Sequence, residues 1–180
     1  MAGLGNPGQE YVYTRHNMGW AAIDRLVQER GLGNPVSKFR SEFWRDRDFI
    51  LMKPLTWMNL SGLAIQEAFN FYKMELSQVL VICDEMALPY GQLRLRARGS
   101  AGGHNGLASV IASLGSLEVP RLRIGIGESK GSKTGWVLGR LSMDELEKLP
   151  DILENTLRAV EAWSTLDIER AMSRINVRVA

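Results

Sequence analysis

Apolar residues along this chain recur at two spacings, one typical of amphipathic helices and one typical of strands. The clearest helix has Leu107, Val110, Ile111 and Leu114 at positions i, i+3, i+4 and i+7, and Gly115 predicts its end. The same periodicity, with capping residues, predicts further helices over residues 17–30 (Asn17 as N-cap), 61–72, 143–149, 151–164 (opened by Pro150) and 168–175.

Strand patterns fill much of the remaining chain. Residues 79–83 are a continuous apolar run of β-formers, the pattern of a strand buried on both faces, whereas residues 93–98 alternate apolar residues with arginine. Further strands are predicted as a hairpin over 39–46 and 49–53, over 122–126, and as a short apolar stretch that Leu4 ends before a Gly-Asn-Pro-Gly turn. Because strands and helices interleave, we expect an α/β fold: a single domain over residues 1–180, with a central mixed, mostly parallel sheet surrounded by helices.

Composition narrows the class of protein. Hydrophobic residues make up 45% of the 180 residues and charged residues 23%, which suffices for one substantial core and excludes a disordered chain. A single cysteine, Cys83, excludes an internal disulfide and is typical of a reducing compartment. No apolar run approaches the roughly 20 residues of a membrane span, and no secretory signal is visible, so we expect a cytoplasmic protein without membrane contact.

Charge and ligand spacing bear on the possible partners. The net charge of +2 is too small to indicate nucleic-acid binding by itself, although it leaves room for a local basic patch. The sequence has no cysteine pair, no His-x-x-x-His and no His/Asp cluster at ligand spacing. We therefore expect neither a metal nor a cofactor.

Asparagines and histidines are concentrated in glycine-rich or turn-rich segments. They are His16-Asn17, His104-Asn105, Asn6 and Asn59, and the two histidines are the only ones in the chain. An asparagine amide can hold peptide-like groups without charge, and an imidazole is suited to proton transfer near neutral pH. This combination predicts a hydrolytic site.

Asp84 follows the predicted buried strand, at the strand end where ligands bind in open α/β sheets, and is well placed to partner a histidine. Each candidate alone also has an ordinary structural interpretation. Asp84 fits a helix cap or turn acid, and His16 fits a structural histidine beside a helix start. Asn6, Asn59 and the segment 102–106 fit a turn, a cap and a tight helix-entry loop.

Six motifs nevertheless occur together in a fixed order. They are GLGNPG at 3–8, Y-x-x-TRHN-x-G at 11–19, KP-x-T-x-MN-x-SG at 53–62, DE-x-x-LP-x-G at 84–91, GGHNGL at 102–107 and RLRIGIG at 121–127. In this order they resemble the bacterial-type peptidyl-tRNA hydrolases, and the resemblance covers residues 3–176.

The resemblance implies a monomeric enzyme, without an obligate protein partner, that cleaves the ester joining a peptide to the terminal ribose of tRNA. It implies that His16 is the catalytic base and that Asp84 orients it. Substrate-binding roles are implied for Asn6, Tyr11, Trp57, Asn59, His104 and Asn105. An ester is an activated acyl group, so one oriented histidine with polar donors can activate water without a metal or a covalent intermediate.

The arginines Arg94, Arg96 and Arg98 alternate on one predicted strand, so their side chains share a face. Taken alone, this pattern is better explained as a solvated strand face. The resemblance, however, associates Arg96 and Arg123 with gripping a tRNA phosphate, for which the arginine fork is suited. Lys130, Lys133 and Arg140 extend this patch, and residues 135–143 with the following helix form a lid over the cleft by analogy.

The chain departs from the family pattern in three places. Ala87 stands where a second acid is usual, Trp57 stands where a phenylalanine is common, and the stretch before Gly5 is shorter than the usual first strand. We interpret Ala87 as loss of a secondary contact, because Asp84 remains. Trp57 keeps an aromatic side chain at its position, which can still line the cleft.

Two other functions fit parts of the same pattern: a catalytically silent RNA-binding relative, and an esterase for small N-blocked amino acid esters. The presence of both His16 and Asp84 favours an enzyme over a silent binder. The pair Arg96 and Arg123 favours a nucleic-acid leaving group over a small alcohol.

Overall fold

A computed structural model of the protein describes residues 1–129 and 131–176. Within these residues, the strands are β1 (Ala2–Gly3), β2 (Val36–Lys38), β3 (Ser41–Arg45), β4 (Ile50–Pro54), β5 (Val81–Glu85), β6 (Leu93–Arg96) and β7 (Arg121–Gly125). The α-helices are α1 (Met18–Glu29), α2 (Ser61–Phe71), α3 (Asn105–Leu114), α4 (Lys133–Val137), α5 (Met143–Thr165) and α6 (Ile168–Ile175). Short 3₁₀ turns cover Gln9–Tyr11, Arg15–Asn17, Met58–Leu60 and Leu76–Gln78.

The strands form one sheet in the order β2-β3-β4-β1-β5-β7-β6. The four central strands β4, β1, β5 and β7 are parallel, and antiparallel pairs complete both edges. Although β1 has only two residues, its backbone is paired on both sides, and Leu4 donates to the carbonyl of Ile82 at 2.9 Å. The predicted α/β fold with a mixed, mostly parallel sheet is confirmed.

Both faces of the sheet are covered by helices, which explains the unbroken apolar run in β5. Ile82 belongs to the core that α1, α5 and α6 cover, whereas Val81 and Cys83 belong to the core that α2 and α3 cover. Successive residues of a strand point to opposite faces, so each face of β5 requires apolar side chains. None of the described helices combines the length and the apolar character that crossing a membrane requires.

The predicted break at Pro150 is wrong, because α5 runs through it over 23 residues. An internal proline removes one hydrogen bond and costs about 3 kcal/mol. Two features offset this cost: a capping box between Ser142 and Glu145 starts the helix, and residues such as Ile152 and Val160 are buried against the sheet.

Smaller differences between the predicted and the observed elements occur at strand ends that adjoin loops. The strand predicted over 93–98 ends at Arg96, and the one predicted from residue 39 begins at Ser41. Phe39 and Arg40 both have φ near +50°, so they form the turn of a hairpin with β2, which the sequence pattern did not predict. The short helix α4 was not predicted either.

Candidate active site

The candidate site lies at the carboxyl ends of the central parallel strands, where ligand sites occur in open α/β sheets. Asp84 is the fourth residue of β5, and Asn6 follows β1. The 3₁₀ turn Arg15–Asn17 and the loop before α3 bring His16 and His104 to the same place. Residues that are 68 and 20 positions from Asp84 in sequence thereby contact it directly.

A carboxylate between two imidazoles forms the centre of the site. His16 Nδ1 lies 2.9 Å from Asp84 Oδ1 and 3.0 Å from Oδ2, and His104 Nε2 lies 2.9 Å from Oδ1. The ring centroids of the two histidines are 4.9 Å apart. All three side chains are at most 10% exposed. The predicted contact between His16 and Asp84 is therefore present in the structure.

Neighbouring groups determine which ring nitrogens carry protons. The backbone N–H of Leu107 donates to His104 Nδ1 at 3.1 Å, so this nitrogen accepts and the proton on Nε2 points to Asp84. His16 presents Nδ1 to the same carboxylate, so Nδ1–H donates a hydrogen bond to Asp84 and Nε2 keeps an open lone pair. The site thus holds one imidazole nitrogen that can take a proton from a reactant.

The ionised form of Asp84 is favoured despite its burial. Burial raises the pKa of this carboxyl, but the charge and hydrogen bond of His104 and then those of His16 outweigh it, and the pKa falls well below its usual range. A carboxylate that stays ionised can stabilise a histidine cation that forms beside it.

Acid unfolding tests this pairing. Since the folded-state pKa of Asp84 lies below its unfolded value of about 3.9, the pair stabilises the fold above that pH and the stabilisation is lost as pH falls through the folded-state pKa. We expect Asp84→Asn to lose unfolding free energy less steeply than the wild type from about pH 5 to pH 3, measured by urea titration. Equal slopes would contradict the lowered pKa.

Asn6 is held by contacts on two sides. The Asn17 side chain accepts from the Asn6 backbone N–H at 2.9 Å and donates to the Asn6 carbonyl at 3.0 Å. Asn6 Oδ1 in turn accepts from the backbone N–H of Met58 at 2.8 Å. Its amide nitrogen has no hydrogen-bond partner among residues 1–129 and 131–176, so it can donate to a ligand. Asn17 is the N-cap residue of α1, as predicted, but its side chain fixes Asn6 instead of capping the helix.

Gly106 lies where the start of α3 packs on the turn Met58–Leu60, between the other two asparagines. A Cβ at this position would lie 2.4 Å from the sulfur of Met58, so a larger residue would displace the Met58 side chain. Asn105 and Asn59 flank this contact and are both exposed. Both are therefore accessible to a ligand, and each follows a residue that contacts the site: Asn105 follows His104, and Asn59 follows Met58, whose N–H donates to Asn6.

Aromatic and apolar residues next to the turn Met58–Leu60 form a rim at the surface. Tyr11 and Trp57 pack edge to face with ring centroids 6.0 Å apart, and Trp57 is 53% exposed. Leu55 and Leu60, on either side of Trp57 in sequence, are exposed as well. This rim offers apolar surface next to the polar amides.

Arginines form two cross-strand pairs on one face of β6 and β7. Arg94 lies opposite Arg123, and Arg96 lies opposite Arg121. Arg96 and Arg123 thus share a face but occupy diagonal positions in the register. Arg98 lies beyond the strand and contacts Glu118 at 3.5 Å.

The two arginines of β7 are engaged by the protein itself. Arg123 forms an ion pair with Glu85 at 2.9 Å and donates to the carbonyl of Ser100 at 3.0 Å. Arg121 is fully buried, a role the sequence did not indicate, and its guanidinium donates to the carbonyls of Val119, Gly99 and Ser100. The Arg121 contacts with Gly99 and Ser100 hold the loop that leads to His104.

The remaining predicted residues lie at the surface. Ala87 is an exposed turn residue whose N–H donates to the Glu85 carboxylate at 3.1 Å. The partners of Asp84 are His16 and His104, so the Asp84 contacts form without a second acid at position 87.

The predicted basic residues beyond β7 are also at the surface. Lys133 in α4 and Arg140 after α4 are exposed, and Lys130 lies outside the described residues. The segment predicted as a lid is joined to the 3₁₀ turn region, since Leu141 donates to the carbonyl of Tyr13 at 2.9 Å.

A buried carboxylate in contact with two imidazoles, on a mixed α/β sheet, is an arrangement suited to acid–base catalysis. A sequence model of the family described as peptidyl-tRNA hydrolase matches residues 1–180. The chain belongs to the peptidyl-tRNA hydrolase family.

Individual relatives agree with this assignment along nearly the whole chain. The peptidyl-tRNA hydrolase of Carboxydothermus hydrogenoformans is 44% identical over 181 residues, covering 98% of this chain and 97% of that protein. That of Syntrophomonas wolfei is 41% identical over 180 residues, covering 98% of both. The crystal structure of the Acinetobacter baumannii peptidyl-tRNA hydrolase superposes with a TM-score of 0.88 at 32% identity, covering 98% of this chain and 93% of that one.

Proposed function

We propose that this protein hydrolyses the ester between the peptide and the terminal ribose of peptidyl-tRNA, using a water molecule activated by His16. The observation that carries the proposal is the buried contact between His16 Nδ1 and the Asp84 carboxylate, at 2.9 Å, which leaves Nε2 as the base. The chain acts as one unit over residues 1–180, as a cytoplasmic monomer without an obligate protein partner.

In the proposed reaction, His16 Nε2 takes a proton from water while the water oxygen attacks the ester carbonyl carbon. The carbon–oxygen bond to the ribose then breaks, and His16 returns the proton to the departing ribose oxygen. The products are a free peptide carboxylate and a free tRNA hydroxyl. Asp84 stabilises the transient imidazolium and keeps the proton of the resting ring on Nδ1.

The asparagine amides supply neutral donors around the reacting carbonyl. The Asn6 amide nitrogen and the exposed amides of Asn59 and Asn105 can donate to peptide carbonyls and to the oxyanion that develops during attack. His104 shares the Asp84 carboxylate and fixes its orientation. Tyr11 and Trp57 provide the apolar wall for the substrate.

We propose that the centre works without a metal, although His16, Asp84 and His104 lie within the reach of one ion, their ligand atoms being within 4.8 Å of one another. The two ring nitrogens that face Asp84 carry protons, and each donates a hydrogen bond to the carboxylate. Binding a cation at His104 Nε2 would move its proton to Nδ1 and abolish the contact with the Leu107 N–H. The donor set therefore favours proton transfer.

Arg96 and Arg123, extended by Lys133 and Arg140, are the proposed contacts for tRNA phosphate. We expect Arg96→Ala and Arg123→Ala to raise KM for peptidyl-tRNA far more than they lower kcat, because a phosphate contact acts about equally in the ground and transition states. Each variant should also reduce the slope of log binding constant against log salt by about 0.7–0.9.

Two comparisons control this prediction. Arg98→Ala removes an exposed arginine whose partner is Glu118 and should change KM little. A peptidyl-adenosine ester lacks the gripped phosphate, so the wild type and both variants should cleave it alike. If the variants cleave this minimal ester as poorly as peptidyl-tRNA, the arginines belong to the chemistry or the fold instead.

The proposed activity itself is tested with N-acetyl-aminoacyl-tRNA. Release of free tRNA by the purified protein supports the hydrolase. Binding of the substrate without release would indicate an RNA-binding protein, and cleavage of N-acetyl amino acid esters with no preference for tRNA would indicate a general esterase.

A further inference from the structure

The side chain of Arg15 is buried, although it carries a charge and precedes His16 in the sequence. Only 9% of its side-chain surface is exposed. Burying a guanidinium costs free energy unless partners satisfy both its charge and its N–H groups. The identity of these partners therefore indicates what the residue does.

Within residues 1–129 and 131–176, the guanidinium and the backbone N–H of Arg15 find their polar partners in the segment 136–145. Its Nε and Nη2 donate to the two carboxylate oxygens of Glu145 at 2.9 and 2.7 Å, a bidentate ion pair. The guanidinium lies 3.8 Å from the centre of the Trp136 ring, and Nη1 donates to the Trp136 carbonyl at 3.5 Å. The Arg15 backbone N–H donates to the carbonyl of Gly139 at 3.1 Å.

The segment that receives Arg15 is fixed by further bonds. The Ser142 N–H donates to Glu145 Oε2 at 2.7 Å, and Tyr90 donates its hydroxyl to the Glu145 carbonyl at 2.8 Å. Burial raises the pKa of Tyr90 to about 12, so it remains a donor at neutral pH. The Trp136 indole donates to the carbonyl of Gly127 at 3.0 Å, beyond β7. Arg15 is therefore attached to a segment that is itself hydrogen-bonded to Tyr90 and to the end of β7.

Three successive side chains attach the 3₁₀ turn to three different parts of the molecule. Arg15 contacts Glu145 at the start of α5, His16 contacts Asp84 of β5, and Asn17 contacts Asn6 after β1. A shift of the turn would move the His16 ring with it. A misplacement of about 1 Å at a reacting group can cost on the order of 100-fold in rate.

We infer that Arg15 is a positioning residue, whose contacts with Glu145 and Trp136 hold the turn that carries His16 and thereby aim its imidazole at the substrate. The inference rests on the proposed function, because it concerns the same reaction. A direct contact to tRNA phosphate is disfavoured, since the guanidinium is buried between the Glu145 carboxylate and the Trp136 ring, which occupy its donors and one of its faces.

The test is Arg15→Gln, compared with Arg15→Lys and with Arg25→Gln as a matched control. Arg25 also joins α1 to α5, through an ion pair with Glu154 at 3.1 Å, but at the surface and away from His16. We expect Arg15→Gln to lower kcat by roughly 10–100-fold on both peptidyl-tRNA and peptidyl-adenosine, with KM little changed. Lysine should restore part of the loss, because it keeps the charge without the planar fork. Arg25→Gln should match the wild type.

Glu145→Gln removes the Arg15–Glu145 ion pair by changing the acid instead of the arginine. This variant replaces Arg15→Gln in the test if Arg15→Gln does not fold. A readout independent of turnover is the nitrogen NMR spectrum of labelled histidine, in which the His16 Nδ1–H signal bonded to Asp84 should shift or broaden in both variants. This readout separates failure of the inference from failure of the proposed activity. A folded variant with wild-type kcat and an unchanged His16 signal would overturn the inference, as would a loss confined to KM for tRNA.

Discussion

Replacing His16 with alanine is expected to reduce kcat for peptidyl-tRNA by about 10²–10⁴-fold, the range that a general base contributes. Among the described residues, His16 presents a ring nitrogen that is free of a protein partner while Asp84 orients the other nitrogen. The second histidine cannot replace it, because both nitrogens of His104 are engaged, one by Leu107 and one by Asp84. Steady-state kinetics on N-acetyl-aminoacyl-tRNA measures the effect.

The control for His16→Ala is affinity for tRNA, which should stay within a few-fold of the wild type because the described contacts of the ring are with Asp84 and His104, not with Arg96 or Arg123. Circular dichroism should show an intact fold. A variant that keeps full activity would remove His16 from the mechanism.

Asp84→Asn is expected to have the second largest effect, a loss of about 10–100-fold in kcat, the size found when the hydrogen-bond partner of a metal-bound histidine is replaced. Asparagine offers one acceptor oxygen in place of two, and its amide group presents protons toward a ring that also presents one. It can hold a ring in place, but it does not stabilise the cation that forms during attack.

Asp24→Asn is a matched control for this variant. Asp24 pairs with Lys53 at 2.7 Å on the outer side of α1, so its loss removes an ion pair without touching the catalytic centre. We expect unchanged kcat in this control. If Asp84→Asn retained wild-type kcat with a wild-type fold, Asp84 would be a structural acid only.

Much of the fold was predictable because the residues that form the core are apolar and recur at the spacing of their helix or strand. The run Val81–Cys83 is apolar since both faces of β5 are covered, and α3 keeps its i, i+3, i+4 and i+7 pattern since one stripe meets the sheet. The helix break predicted at Pro150 was wrong because the sequence shows the local cost of proline but not the burial that offsets it. Its local penalty is offset by burial along the whole length of α5, which no local rule measures.

The site was predictable in part, because its turn residues form ordered motifs. The contacts that fix those residues could not be predicted locally. Arg15 and Glu145 are 130 positions apart in the sequence. Asn17 has the sequence pattern of an ordinary helix cap, but its side-chain amide is hydrogen-bonded to the backbone of Asn6. Arg121 and Arg123 have the same local pattern, yet one is buried against carbonyls and the other faces Glu85. Only the packed chain distinguishes these roles.

Direct attack by water is the central claim, and a single-turnover experiment with a doubly labelled substrate tests it most directly. The N-acetyl-aminoacyl group and the tRNA carry different labels, excess wild-type protein is mixed with the substrate, and the reaction is quenched in acid. We predict that free tRNA and free N-acetyl amino acid appear together with one rate, and that His16→Ala slows both equally. A burst of tRNA ahead of the free acyl product, with an equal amount of acyl label bound to the protein, would contradict the account.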